Sequence, residues 1–327
     1  MKKFLFNIIL MAFLVAGGMG VILYIPPVEK NFYAEILRKY DHLHQSGSPK
    51  IILIGGSNIC YGVSARQLSE YYHLPAVNMG LNGGLGLRLM LSQVRPWIGK
   101  GDIIVISPEY EQFLGAYHLL DGQGSSLAEV LYYSPESLQY LDSISQYKET
   151  VKYLPIFAQK RLGYLVNHRF GFRKKLPIDK EKLDYRQAFN AYGDATYHFN
   201  LPVPGFGKGN YPLPDNFDMA PARLLNQFSQ EARLKGAEVY FAYPGYAQSE
   251  YNKNRKSIQH LESLLSRELE LKFLGKPDDY IFSDELFFDT VYHLGQKGTQ
   301  LRTLRLMDKL ESERGISYQA QSANEKG

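Results

Sequence analysis

The sequence is poor in the residues that build redox and metal centres. It holds one cysteine, Cys60, among 327 residues. No intrachain disulfide can form, so the fold must be held by packing. There is no Cys-x-x-Cys pair and no His/Cys cluster to suggest a structural zinc, and no metal or organic cofactor is expected. Tryptophan is also scarce, at one residue. Net charge is small, +4, and no basic stripe is interleaved with aromatics, which argues against a nucleic-acid partner. One short basic cluster, residues 169–175, reads as a solvated loop, with contact to lipid headgroups or an anionic polymer as the alternative. After residue 25 no apolar run is long enough to span a bilayer.

One such run does stand at the start. Residues 4–25, FLFNIILMAFLVAGGMGVILYI, carry no charge, and Asn7 is their only strongly polar residue. At about 1.5 Å per residue, a helix of this length crosses a hydrocarbon core of about 30 Å. Lys2 and Lys3 precede it and favour a cytoplasmic N-terminus. The expectation is a cytoplasmic tip and single-pass transmembrane signal anchor over residues 1–25, in the plasma (inner) membrane, with the main domain periplasmic or extracellular. A cleaved signal peptide is the rival reading. Against it, the run is longer than a usual signal core and no Ala-x-Ala site follows.

Residues 26–48 read as a polar connector with some helical character. Then comes KIILIGGSN, four consecutive apolar residues ended by Gly55 and Gly56. Such a run fits a buried parallel strand better than a half-exposed one. A helix over 63–72 capped by Ser64, a strand over 75–80, a Gly-rich loop, a helix over 87–98 and a strand over 103–106 follow. Strand, helix, strand, helix, strand implies right-handed crossovers and a three-layer α/β sandwich with a central parallel sheet, flavodoxin-like in type. Ligands in such sheets sit beyond the carboxyl ends of the strands, where Ser57, Gly83 and Glu109 all fall. The domain is expected over 49–313. A Tyr-, Gln- and Ser-rich helical or irregular insertion, placed as a lid, occupies about 115–215, and the polar tail 314–327 is expected to be disordered. Tyr is abundant, at 25 residues, which suits a glycan groove or simply a Tyr-rich core.

Ser57 lies in a Gly-flanked turn that would expose its hydroxyl and aim backbone N–H groups at its target. A phosphate loop would need Lys directly before the Ser, and Gly56 stands there. Far along the chain, Asp289 precedes His293 by four residues in a loop entering a helix. A carboxylate so placed can hold Nδ1–H of the imidazole and leave Nε2 as general base. None of the other His residues has this setting. Cys60 is an alternative nucleophile, but no cation lies beside it before Arg66 to lower its pKa.

With these blocks the chain resembles the SGNH (GDSL-like) hydrolase superfamily over residues 50–115 and 237–312. Gly55-Gly56-Ser57-Asn58 is similar to the nucleophile block, residues 77–83 to the second block, and Asp289 with His293 to the C-terminal block. The resemblance implies a catalytic triad of Ser57, His293 and Asp289, with N–H groups of Ser57 and Gly83 forming the oxyanion hole. The anchor makes the chain similar to the membrane-anchored cell-envelope branch that serves alginate O-acetylation and teichoic-acid D-alanylation. This implies an esterase or O-acyltransferase acting on an envelope polysaccharide, working beside a membrane-bound O-acyltransferase. Two departures stand out. The third block, which normally supplies an Asn donor, reads Ser107-Pro108-Glu109-Tyr110, and an ionised Glu cannot donate. Asn58 and Asn82 are the candidate replacements, with Glu109 and Tyr110 expected to line the site. The Asp–His spacing is one residue longer than usual, which leaves Asp284 as an alternative partner. A catalytically inactive glycan-binding or scaffold protein of the same assembly is the second reading of function.

Overall fold

Ile51-Ile52-Leu53-Ile54 cannot alternate between core and solvent. They form strand β1 (Ile51–Gly55), buried along its whole length. Strands β2 (Ala76–Asn78) and β3 (Ile103–Ser107) are buried throughout as well. Strands β4 (Glu238–Phe241), β5 (Tyr246–Ala247), β6 (Lys272–Phe273) and β7 (Ile281–Phe282) follow. Five of them make one parallel sheet in the order β2-β1-β3-β4-β6, and β5 pairs with β7 in a small parallel sheet. The expected α/β class and central parallel sheet are therefore found. The computed structural model describes residues 2–24, 31–115, 119–169, 186–206 and 211–315.

Helices flank both faces. Ala65–Tyr72 packs with the last helix, Gln296–Arg314, while Ala220–Leu234 packs with both Leu87–Ser92 and Gln248–Glu268. Ser64 caps the first of these, accepting from Gln67 N. The helix expected over 87–98 is shorter: it ends at Ser92, and a separate 3₁₀ turn with Pro96 inside it covers Arg95–Trp97. The chain steps from β1 to β2 in one direction and then back past β1 to β3. This reversal puts the topological switch point between β1 and β3, where ligands of such sheets bind.

The stretch read as a connector carries a helix, Glu35–Gln45, that packs on the domain with Ile36, Tyr40 and Leu43 buried. Lys39 is buried with them; its ammonium donates to the carbonyls of Asn78 and Gly193 at 2.7 and 2.6 Å. Burial pushes its pKa down. The insertion contains the helices Gly124–Tyr133 and Ile144–Arg169. Asp194 fastens it to the sheet, accepting from the backbone N–H of Ala65 and Arg66 and from Asn78 Nδ2. The basic cluster at 169–175 and the tail beyond 315 lie outside the described residues.

Lys2–Tyr24 is one helix, and Phe4, Phe6, Met11, Phe13 and Leu14 on it are exposed. Among the described residues no helix is long and apolar enough to cross a membrane. The side chains at 12, 16, 19 and 22–24 and residue 25 of the expected anchor, with residues 26–30 of the expected connector, are outside that set.

Candidate active site

Strands β1 and β3 are in register with Gly55 opposite Ser107. Two residues further along each chain stand Ser57 and Glu109, so the register itself brings them together. Ser57 opens a short helix, Ser57–Cys60, and is half-buried. Its Oγ donates to Glu109 Oε1 at 3.1 Å, and the same oxygen accepts the N–H of Asn58 at 3.1 Å. A Cβ on Gly56 would sit 2.6 Å from Glu109 Oε1, and one on Gly83 would collide with Oε2. Gly is required at both positions by the close approach of this carboxylate. The Glu109 side chain thus fills the cradle formed by Ser57, Gly56 and Gly83. Its own backbone is braced: Glu109 N–H donates to Gln112 Oε1 and Tyr110 N–H to the Tyr292 hydroxyl.

The C-terminal pair is built by a hairpin. Phe287 and Leu294 form an antiparallel bridge, and Phe288 N–H donates to His293 O at 2.7 Å. Thr290 Oγ1 accepts from the N–H groups of Tyr292 and His293 and shapes the tip. Asp289 and His293 then face one another across the hairpin, with Nδ1 2.8 Å from Asp289 Oδ1. The longer spacing is absorbed by this loop. Asp284 is elsewhere: its Oδ1 accepts from Ser249 N at the start of Gln248–Glu268. The His293 ring stacks on Tyr61, centroids 4.1 Å apart and planes 13° from parallel. Tyr61 directly follows the helix that Ser57 opens. The imidazole therefore lies against the serine turn, although the Ser57 hydroxyl is bonded to Glu109 and not to His293.

Of the two proposed replacement donors, Asn58 has its amide N–H groups engaged elsewhere, whereas Asn82 is engaged through its side-chain oxygen. Asn58 is fully buried, and its Nδ2 is spent on the carbonyl and hydroxyl oxygens of Ser107. Asn82 uses its side-chain oxygen to cap the turn Gly83–Leu85 through Gly84 N. Tyr110 does not line the site; it is buried in the core, edge-on to Tyr246. Cys60 is buried with its thiol pushed up to about 12 by burial, so it is no nucleophile.

Three neighbours of the site carry no local sequence signal. Arg302 is buried beneath the serine turn, donating to Asn58 O at 2.5 Å and Ser107 Oγ at 3.0 Å; burial lowers its pKa to about 10. His198, from the insertion, is buried with Nε2 donating to Leu294 O at 2.9 Å, and packs on Tyr61 and Phe288. Burial lowers its pKa to about 4, so it is a neutral ring near neutral pH. Glu111 takes a 2.6 Å hydrogen bond from the Tyr292 hydroxyl; burial, with the Glu109 charge beside it, raises its pKa to about 7. Each of these depends on contacts between distant parts of the chain. Among the described residues, no group of His, Cys, Asp and Glu is arranged to hold a metal ion. Compared with protein-family models and with curated proteins, the chain matches none.

Proposed function

We propose that this chain is a membrane-anchored, extracytoplasmic serine esterase or O-acyltransferase of the SGNH (GDSL-like) type, acting on an envelope polysaccharide. The observation that carries the reading is the Asp289–His293 pair, held at 2.8 Å on a hairpin and stacked beside the turn of Ser57. Asp289 fixes Nδ1, so Nε2 is the nitrogen that exchanges protons. The Ser57 hydroxyl leaves Glu109 by rotation about χ1, passes its proton to His293 and attacks the ester carbonyl. The bond from Oγ to the acyl carbon forms, the bond to the leaving alcohol breaks, and His293 returns the proton to that alcohol. Water or a sugar hydroxyl then resolves the acyl-enzyme, the first giving an esterase and the second a transferase. The apolar helix Lys2–Tyr24, with its exposed Phe, Leu and Met side chains, supports the anchor. In this reading a membrane-bound O-acyltransferase is the partner that supplies acyl groups.

The second reading, a non-catalytic glycan-binding scaffold, draws on one observation: the carboxylate of Glu109 occupies the cradle where an oxyanion would form. Fluorophosphonate labelling of the detergent-solubilised full chain separates the two. The esterase reading expects labelling that Ser57→Ala abolishes and His293→Ala slows at least about 10³-fold. Labelling that survives Ser57→Ala, or none at all, favours the scaffold.

A further inference from the structure

The insertion and the N-terminal helix meet at a groove that the chemistry at Ser57 does not use. The helices Gly124–Tyr133 and Ile144–Arg169 pack on one another, and Lys2–Tyr24 lies against the second of them. The groove between them has a volume of about 270 Å³. Its walls are mostly apolar: Gly20 of the N-terminal helix, Leu131, Leu138, Leu154 and Phe157. Since about 150 Å³ holds one benzene ring, this space takes roughly ten carbons of a chain. On the same long helix Ile144, Val151 and Leu162 are exposed. They recur at spacings that keep them on one face, so an apolar surface runs along the helix beside the groove.

Two polar side chains line this apolar space, Thr150 and Arg161. Both are buried, at 4% and 3% exposure. The Arg161 guanidinium donates to Tyr132 O and lies over the Tyr132 ring, 4.7 Å from its centroid. Neither contact neutralises its charge. Among the described residues, Arg161 Nε and Thr150 Oγ1 have no hydrogen-bond partner. A buried cation and a buried hydroxyl left in this state are costly, and an occupant with an anionic and a neutral acceptor relieves both. A phospholipid carries the two on one apolar body, as phosphate and as acyl ester. A free fatty acid carries only the first, and a diacylglycerol only the second.

Gly20 fixes the depth. It stands four residues before the end of Lys2–Tyr24, roughly 6 Å along the axis. With the anchor oriented as proposed above, that end is the extracytoplasmic one. The groove then opens at the level where headgroups meet the upper acyl chains of the outward-facing leaflet.

We propose that this groove holds one bilayer phospholipid, with an acyl chain along the helix Ile144–Arg169 and its phosphate on Arg161. The inference goes beyond the acyl-transfer reading and rests only on its anchor. A lipid so held satisfies both free donors, neutralises the guanidinium and covers the apolar wall at once.

The test is native mass spectrometry of the full chain in mild detergent, titrated with palmitoyl-oleoyl phosphatidylglycerol or with the diacylglycerol bearing the same chains. Wild type should retain one phosphatidylglycerol and prefer it to the diacylglycerol at least about tenfold. Arg161→Met keeps the apolar stem and should bring the two lipids within about twofold of each other. Leu154→Trp fills the groove and should abolish retention of both. Wild type that binds the two lipids equally, or retains neither, overturns the proposal whether or not the variants fold. So does a folded Arg161→Met that keeps the wild-type preference, or a folded Leu154→Trp that binds as wild type does. Oleate that competes as well as phosphatidylglycerol assigns the groove to a fatty acid and overturns it too. Alkaline carbonate extraction of membranes keeps the failures apart. Wild type that stays in the pellet but shows no lipid preference sinks this inference alone. Wild type that is released sinks the anchor, and this inference with it.

Discussion

Tyr292 donates its phenolic hydrogen to Glu111 at 2.6 Å, which ties the residue before His293 to the turn that carries Glu109. The same hydroxyl accepts from Tyr110 N. One phenol therefore holds the hairpin and the strand-end turn in fixed relation, with a carboxyl group of raised pKa at the junction.

That carboxyl group gives a stability prediction. Glu111 titrates near its ordinary 4.5 in the unfolded chain and at about 7 in the folded one. Between those values the folded state binds the extra proton. Its contribution is fully present below about pH 4.5 and is lost as pH rises through about 7. Glu111→Gln keeps an acceptor for Tyr292 but cannot ionise. Urea midpoints measured from pH 4.5 to 8 should show wild type falling relative to this variant as pH increases. A constant difference would mean that Glu111 does not titrate in this window.

Asp289 and Asp284 are expected to separate cleanly. Asp289→Asn should lower the labelling rate at Ser57 on the order of 10²-fold. This is less than for a deeply buried triad Asp, because the Asp289 side chain is 42% exposed and solvent shares its role. Asp284→Asn should leave that rate within about twofold while costing about 0.5–1 kcal/mol of stability through the weakened cap at Ser249. Labelling kinetics and denaturant melts of both variants check this.

Arg302→Met replaces the buried guanidinium by an apolar chain of similar reach. Asn58 O loses the Arg302 donor, while Ser107 Oγ keeps Asn58 Nδ2. At about 1–3 kcal/mol for a buried group left unsatisfied, a loss in that range is expected. Arg302→Lys should recover part of it, since an ammonium reaches one of the two oxygens but not both in the forked geometry. Thermal unfolding of the two variants against wild type measures the difference.

Cys60 should resist thiol reagents in the folded chain and react in urea, because it is buried and its thiol is held up to about 12. Cys60→Ala should keep Ser57 labelling and lose roughly 1 kcal/mol of packing. Rapid modification of the native protein would place the thiol at the surface.

Strands β1 and β3 were legible because buried parallel strands are written as unbroken apolar runs. The Asp289–His293 pair was legible because both residues lie within one loop. The sequence also placed Ser57 and Glu109 at one rim, yet their direct bond depends on the register of Gly55 with Ser107, which no local pattern encodes. Asn58 misled for a related reason: its amide looks like a free donor until the carbonyl of Ser107 arrives on the neighbouring strand. Arg302 sits 244 residues from its acceptor. Its charge argued for the surface, and only the fold supplies a carbonyl and a hydroxyl to satisfy it. Residues 35–45 read as polar because Glu35 and Lys39 are charged, whereas both are buried, Glu35 beside Arg38 and the distant Arg186, and Lys39 on the carbonyls of Asn78 and Gly193.

The last helix does more than close the sheet. Arg302 reaches Asn58 O, Thr299 reaches Tyr61 O, and Thr303 accepts from Ser64 N, across 244, 238 and 239 residues. Read along the time axis of synthesis, the serine turn is made early and braced last. At roughly 5–20 residues per second, about 10 to 50 s pass between its emergence and that of the helix that holds it. Through that interval the turn has no floor beneath it, and the braced form of Ser57 belongs to the chain whose last helix has docked.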